Sequence, residues 1–147
     1  MTDSSLPEKW SAYLATAIEI TDHSGKLVML SGPKAISTWT FDEPCWVITA
    51  WNPDGRVTTP AQNADANRLL EADLRELESR FVPATGRAVD GPPHHEDGYL
   101  VSGIDRPTAL GLGRRFQQDA VFEISAESLT LITSDGAHSV TRQRVSD

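Results

Sequence analysis

A second cysteine is missing from this chain. Cys45 stands alone, so no internal disulfide can staple the fold, and its apolar neighbours mark a buried thiol. Also missing is any apolar run of membrane-spanning length. The opening Met1-Thr2-Asp3-Ser4-Ser5 lacks the basic-then-apolar order of a secretory signal, which gives the expectation of a cytoplasmic protein with no membrane partner. Positive charge is scarce: 13 Lys and Arg against 21 Asp and Glu leave a net charge of −8. A fold this acidic repels phosphate backbones, which argues against non-specific nucleic-acid binding. Internal repeats and low-complexity segments are absent as well.

The familiar spacings of catalysis and metal binding are equally lacking. His94-His95-Glu96-Asp97 offers two imidazoles and two carboxylates. Neighbours on an extended segment point to opposite faces, however, so at most two of the four can share an ion. No HxxxH or HExxH spacing exists, and His23 and His138 lie in unrelated segments. The expectation is therefore no metal and no cofactor. No Ser-His-Asp or Cys-His set is readable. Gly111 and Gly113 fall inside a helix and make no phosphate loop; they are expected to let that helix lie close to a sheet.

What is present is a chain of 147 residues, 39% apolar and 23% charged, enough for one domain with one sizeable core. It is organised around Cys45-Trp46-Val47-Ile48-Thr49-Ala50-Trp51-Asn52-Pro53-Asp54-Gly55. This reads as a buried strand ending in a polar turn. Before it, Pro7 can open a short helix carrying Trp10 and Leu14. Residues 14–31 form a β-hairpin turning at Asp22-His23-Ser24-Gly25. Residues 32–45 are irregular, with Trp39 and Phe41 expected to pin them to the core.

After the turn, Thr59-Pro60-Ala61-Gln62 carries an N-cap, a first-position proline and a capping-box partner. The helix is expected to run to about Arg80. Its inner stripe is Leu70, Leu74, Leu77 and Phe81. Continued backward, that stripe meets Asn67 and Asn63. A core-facing surface that changes from leucine to amide must satisfy those amides with backbone, water or ligand. Ala84 to Val89 is a weak strand, Asp90-Gly91-Pro92-Pro93 a loop, and Gly98 to Ile104 a strand. Asp105 caps a helix of roughly Arg106 to Phe116, with Ala109, Leu112 and Phe116 inward. Ala120 to Ile124 is a strand, and Leu129 to Thr133 its hairpin partner.

The order strand-helix-strand-strand-helix-strand over 45–125 predicts an α+β fold, a ferredoxin-like α/β sandwich. The N-terminal hairpin and a C-terminal strand at 128–134 extend it. Residues 1–135 are then one domain, and 136–147 a flexible polar tail.

Several strings together resemble a bacterial family known only as a domain of unknown function, DUF3293. They are Tyr13-Leu14-Ala15-Thr16; Val47-Ile48-Thr49-Ala50-Trp51-Asn52-Pro53; Asn63 and Asn67 ahead of the leucines; Glu96 before Gly98-Tyr99-Leu100-Val101; Ala109 with Leu110; and Phe116-Gln117-Gln118-Asp119-Ala120-Val121-Phe122. The resemblance covers about Tyr13 to Ile124. One position departs from it: the family pattern has glycine before the glutamine, and here Gln117 stands there. The resemblance implies no particular activity.

The candidate ligand site gathers Thr49, Asn52, Asn63, Asn67, Glu96 and Gln118 at one end of the sheet. Donors and acceptors together suit a small polar ligand, with Trp51 or Tyr99 as a stacking surface. The competing reading is that the amides only tie strand ends and loops together. Glu96 is the candidate general acid or base of a hydrolase or transferase. Its alternative is an ion pair with Arg87, Arg114 or Arg115. A third class is an accessory or immunity-type interaction module, whose acidic surface would meet a basic protein partner.

Overall fold

A computed structural model describes residues 14–89 and 93–146. The helix expected to open at Pro7, and loop residues Asp90, Gly91 and Pro92, lie outside them. The strands are β1 Thr16–Thr21, β2 Leu27–Pro33, β3 Cys45–Thr49, β4 Arg80–Ala88, β5 His95–Ser102, β6 Ala120–Ile124, β7 Ser128–Thr133, β8 Ser139–Gln143 and β9 Val145–Ser146. Helix α1, Pro60–Glu76, joins β3 to β4, and helix α2, Arg106–Arg115, joins β5 to β6. No described helix is long and apolar enough to cross a membrane.

The protein is α+β. Eight strands form one antiparallel sheet in the order β8-β7-β6-β3-β5-β4-β1-β2, and β9 lies parallel to β2 at the far edge. Only Arg144 separates β8 from β9, yet these two strands sit at opposite edges. The sheet must therefore curl until its edges nearly meet.

Curling divides the core in two. Trp46 and Ile48 of β3, and Ala50 just after it, pack with Leu70 and Leu74 of α1 and with Ala109, Leu110 and Leu112 of α2. Cys45 faces the inside of the curl, with Ile18, Ile20, Leu30, Val82, Ala84, Leu100, Ile124 and Leu129; Val47 packs against the same group. Alternation along one short strand thus feeds both cores. Fully burying Leu70 and Leu74 contributes roughly 1.5–3 kcal/mol each. Trp39 and Phe41 do pin the irregular segment onto the inner core, edge to face at 5.2 Å. Burial and nearby Glu43 and Asp42 push the Cys45 thiol up to about 12.

Both helices begin as their sequences predict. Thr59 accepts from the Gln62 amide at 3.1 Å, and the Gln62 side chain accepts in return from the Thr59 amide at 3.2 Å. Asp105 accepts from the Thr108 amide at 3.0 Å. Of the two glycines in α2, Gly113 meets the close-approach expectation. A Cβ there would lie 2.6 Å from Ser134 Oγ, whereas one on Gly111 would reach only Arg114 Nη2 at 3.7 Å.

Three expectations need correction. Helix α1 ends at Glu76, not near Arg80: Leu77 caps it 42% exposed, and Phe81 belongs to β4. The chain leaves the helix through Glu78 at φ 55°, a left-handed position that usually announces itself as glycine. The weak strand at Ala84 is a nine-residue strand, β4, running through Pro83. Pairing with β1 covers only Ala84 to Ala88, so at Pro83 the strand is paired on one side, where a sheet tolerates proline. Residues 136–147, expected as a polar tail, supply β8 and β9. Arg144 holds them, 1% exposed, donating to the carbonyls of Leu30, Ile36, Ser37 and Ala126 and lying 5.0 Å from the Trp39 ring.

Candidate functional site

The polar turn after β3 places its amides by local chemistry. Asn52 takes φ 51°, a left-handed conformation that asparagine tolerates better than most residues. The turn brings Asn52 over the first turns of α1. There Asn63, 5% exposed, accepts from the Asn52 amide at 3.0 Å and from the Thr58 hydroxyl, and donates to Asn52 Oδ1 at 3.2 Å. Asn67 accepts from the Ala50 amide at 3.1 Å and donates to the Asp97 carbonyl at 2.9 Å. These groups continue the β3 hydrogen bonding into the helix. Asn63 and Asn67 thus bond to the strand end and its turn, and neither lines the cavity inside the curl.

Inside the curl the situation differs. At the end of the sheet where β3 finishes and β5 begins lies a cavity of about 530 Å³. Ile18, Val47, Ala84, Phe122 and Leu131 supply apolar wall, and Gly86, Ala88, Gly98 and Ala120 leave room between them. The small residues Ala84, Gly86 and Ala88 at alternate positions leave only two methyl groups and bare backbone on one face of β4. That spacing is the signal in the sequence that could have located the cavity. Gly98 is required for a further reason: a Cβ there would stand 2.3 Å from the Ile48 carbonyl oxygen.

Three of the six expected site residues line this cavity: Thr49, Glu96 and Gln118. The Thr49 hydroxyl is occupied, donating to the Asp97 carbonyl at 2.6 Å and accepting from the Trp51 amide. Gln118 donates its amide nitrogen to the carbonyls of Trp51 and Phe116 at 2.9 and 3.2 Å. Glu96 Oε2 accepts from Asn52 Nδ2 at 3.1 Å and lies 3.2 Å from His94 Nε2. Asn52 therefore links the two halves of the expected cluster without lining the cavity itself.

The ion pairs weighed for Glu96 do not form. Arg87 meets Glu19, Arg114 donates to the Ser134 carbonyl, and Arg115 meets Asp73. Neither expected stacking surface lines the cavity: Trp51 lies against His95, and Tyr99 packs on Phe81 at 5.5 Å with its hydroxyl 3.5 Å from Glu71. Residues the sequence reading did not select are His94, as the partner of Glu96, and Asp119, which lines the cavity beside Gln118. Among the described residues, no group of three or more His, Cys, Asp or Glu side chains is placed to hold a metal ion.

The comparison with protein families agrees with this central region. The model of a family described as a protein of unknown function, DUF3293, matches residues 48–121. That span contains all six expected site residues. No curated protein and no solved structure matches the chain. The glycine expected at position 117 also has a physical explanation. Gln117 ends α2 at φ 57°, where glycine is the unstrained choice.

Proposed function

Since this chain belongs to the DUF3293 family, whose description assigns no activity, a function has to be argued from its site, and we propose that it binds a small molecule in the cavity inside the curled sheet. The reading rests on one observation. Glu96 Oε2 is fixed by Asn52 and His94, while Glu96 Oε1 has no hydrogen-bond partner among the described residues. The carboxylate is thus held in place with one oxygen left to a ligand, beside apolar wall and well within the 300–1,000 Å³ typical of ligand pockets. The ligand-binding set narrows to Glu96 and Gln118, with Asn52 and His94 positioning Glu96. The order β6-β3-β5-β4, in which each helix connection spans one intervening strand, supports the ferredoxin-like reading of the central core.

The test is a fragment screen followed by amide NMR shifts on the intact chain. Binding fragments should move Gly86, Gly98, Ala120 and Phe122. Fragments that gather instead at the opposite end, around Cys45 and Val82, would overturn the proposal. A second reading, catalysis with Glu96 as acid or base, draws on the His94 contact. Its test is turnover of any ligand found: retained turnover in Glu96→Gln would end it. The basic-partner reading rests on net charge alone; salt-insensitive partner binding would count against it.

A further inference from the structure

We infer that the cavity selects an amphipathic cation, an ammonium or amidinium carried on a compact apolar body. The inference depends on the small-molecule reading above and adds the sign of the head group. Hydrogen-bond capacity at the polar end is one-sided. Asn52 Nδ2 is committed to Glu96, Gln118 Nε2 to two carbonyls, and the Thr49 hydroxyl to the Asp97 carbonyl. The side-chain oxygens of this set without a hydrogen-bond partner among the described residues are Glu96 Oε1 and Gln118 Oε1, both acceptors.

Charge points the same way. The Glu96 carboxylate lines the cavity, and no lysine or arginine is among the described residues lining it. Arg142, at the rim beside Thr16, spends its guanidinium on the carbonyls of Leu14, Thr16 and Gln143. His94 is directed at the oxygen Asn52 already holds. A carboxylate or phosphate head would meet acceptors and like charge. An alcohol would find an acceptor but forgo the charge-assisted bond, which is roughly twice as strong as a neutral one. The chain's net charge of −8 draws cations toward it in general; the cavity converts that attraction into a fixed contact. The walls of Ile18, Val47, Phe122 and Leu131 exclude a hydrated metal cation as the preferred occupant and favour one with an apolar body.

The experiment titrates 2-phenylethylamine, 2-phenylethanol and 3-phenylpropanoate into the intact 147-residue chain at low salt, with amide shifts as the readout. The amine should bind about tenfold more tightly than the alcohol, the carboxylate should not bind, and the shifts should fall on Gly86, Gly98 and Ala120. In Glu96→Gln, checked for folding by its own spectrum, the amine should drop to the affinity of the alcohol. Equal binding of amine and alcohol, or preferred binding of the carboxylate, overturns the cation inference and leaves the binding cavity intact. Amine preference surviving in a folded Glu96→Gln variant also overturns it. If neither this series nor neutral aromatic fragments move those amides, the cavity reading itself fails. The series on the unaltered chain decides the sign without any variant.

Discussion

The two sides of the sheet at the end of β3 carry polar side chains under opposite conditions. On the helix side, Asn63 is 5% exposed and each of its polar atoms is bonded within the protein. On the cavity side, the Glu96 side chain is 29% exposed and one oxygen is unpaired among the described residues. A buried amide without a partner costs about 1–3 kcal/mol, so both polar atoms of the Asn63 side chain need the partners they have. A partly solvated carboxylate bears no such cost and can wait for a ligand. The contrast is between a group whose polar atoms are all engaged and one held in place with an oxygen to spare. The residue types alone do not separate the two.

The largest effect is expected at Gly98, on the strand that pairs with β3. Gly98→Ala sets a methyl against the Ile48 carbonyl and should lower stability by about 3 kcal/mol in denaturant titration. Next is Asn63→Ala, which strips the Asn52 amide of its acceptor and should cost roughly 2 kcal/mol in the same assay. A loss of less than about 0.5 kcal/mol would remove Asn63 from the scaffold. Gln117→Gly relieves a left-handed residue and should raise stability by about 0.5–1 kcal/mol, read as a higher denaturant midpoint. Glu96→Gln sharpens the contrast from the other side. It should change stability by less than about 0.5 kcal/mol while altering ligand binding.

The inner core offers a pH test. Cys45 has a folded pKa raised to about 12 from the ordinary 9.0. The unfolded thiol ionises first, so its share of stability is whole below pH 9 and falls away as pH rises toward 12. Native protein at pH 8 should resist a thiol reagent and react on unfolding; rapid native labelling would contradict the burial.

Much of the fold could be read directly. The caps at Thr59 and Asp105 match because a cap is a contact within four residues. β6 falls on Ala120–Ile124 as expected because its apolar run is short and bounded. Failures occurred where a distant partner overrode a local rule. Glu78 takes a glycine-like conformation in an apparently continuous helical stripe. Pro83 conceals a long strand because its unpaired side is set by how far β1 reaches. The candidate site was half legible: chain order brought its six residues to the end of β3, but not the split that puts only Thr49, Glu96 and Gln118 on the cavity.

Local sequence carried the central strands, the starts and caps of both helices, the two-faced alternation of β3 and the placing of amides next to a strand end. All depend on neighbours along the chain. The remainder came from long-range contacts. Curling of the sheet made a cavity from residues of β1, β3, β4, β5, β6 and β7. It also set Arg144 against carbonyls more than 100 residues away and put Glu96, but not Asn63, on the cavity wall. The physical reason is that a polar group's role follows from how many of its hydrogen bonds are already made. Here those partners come from strands and helices whose meeting depends on sheet order and register.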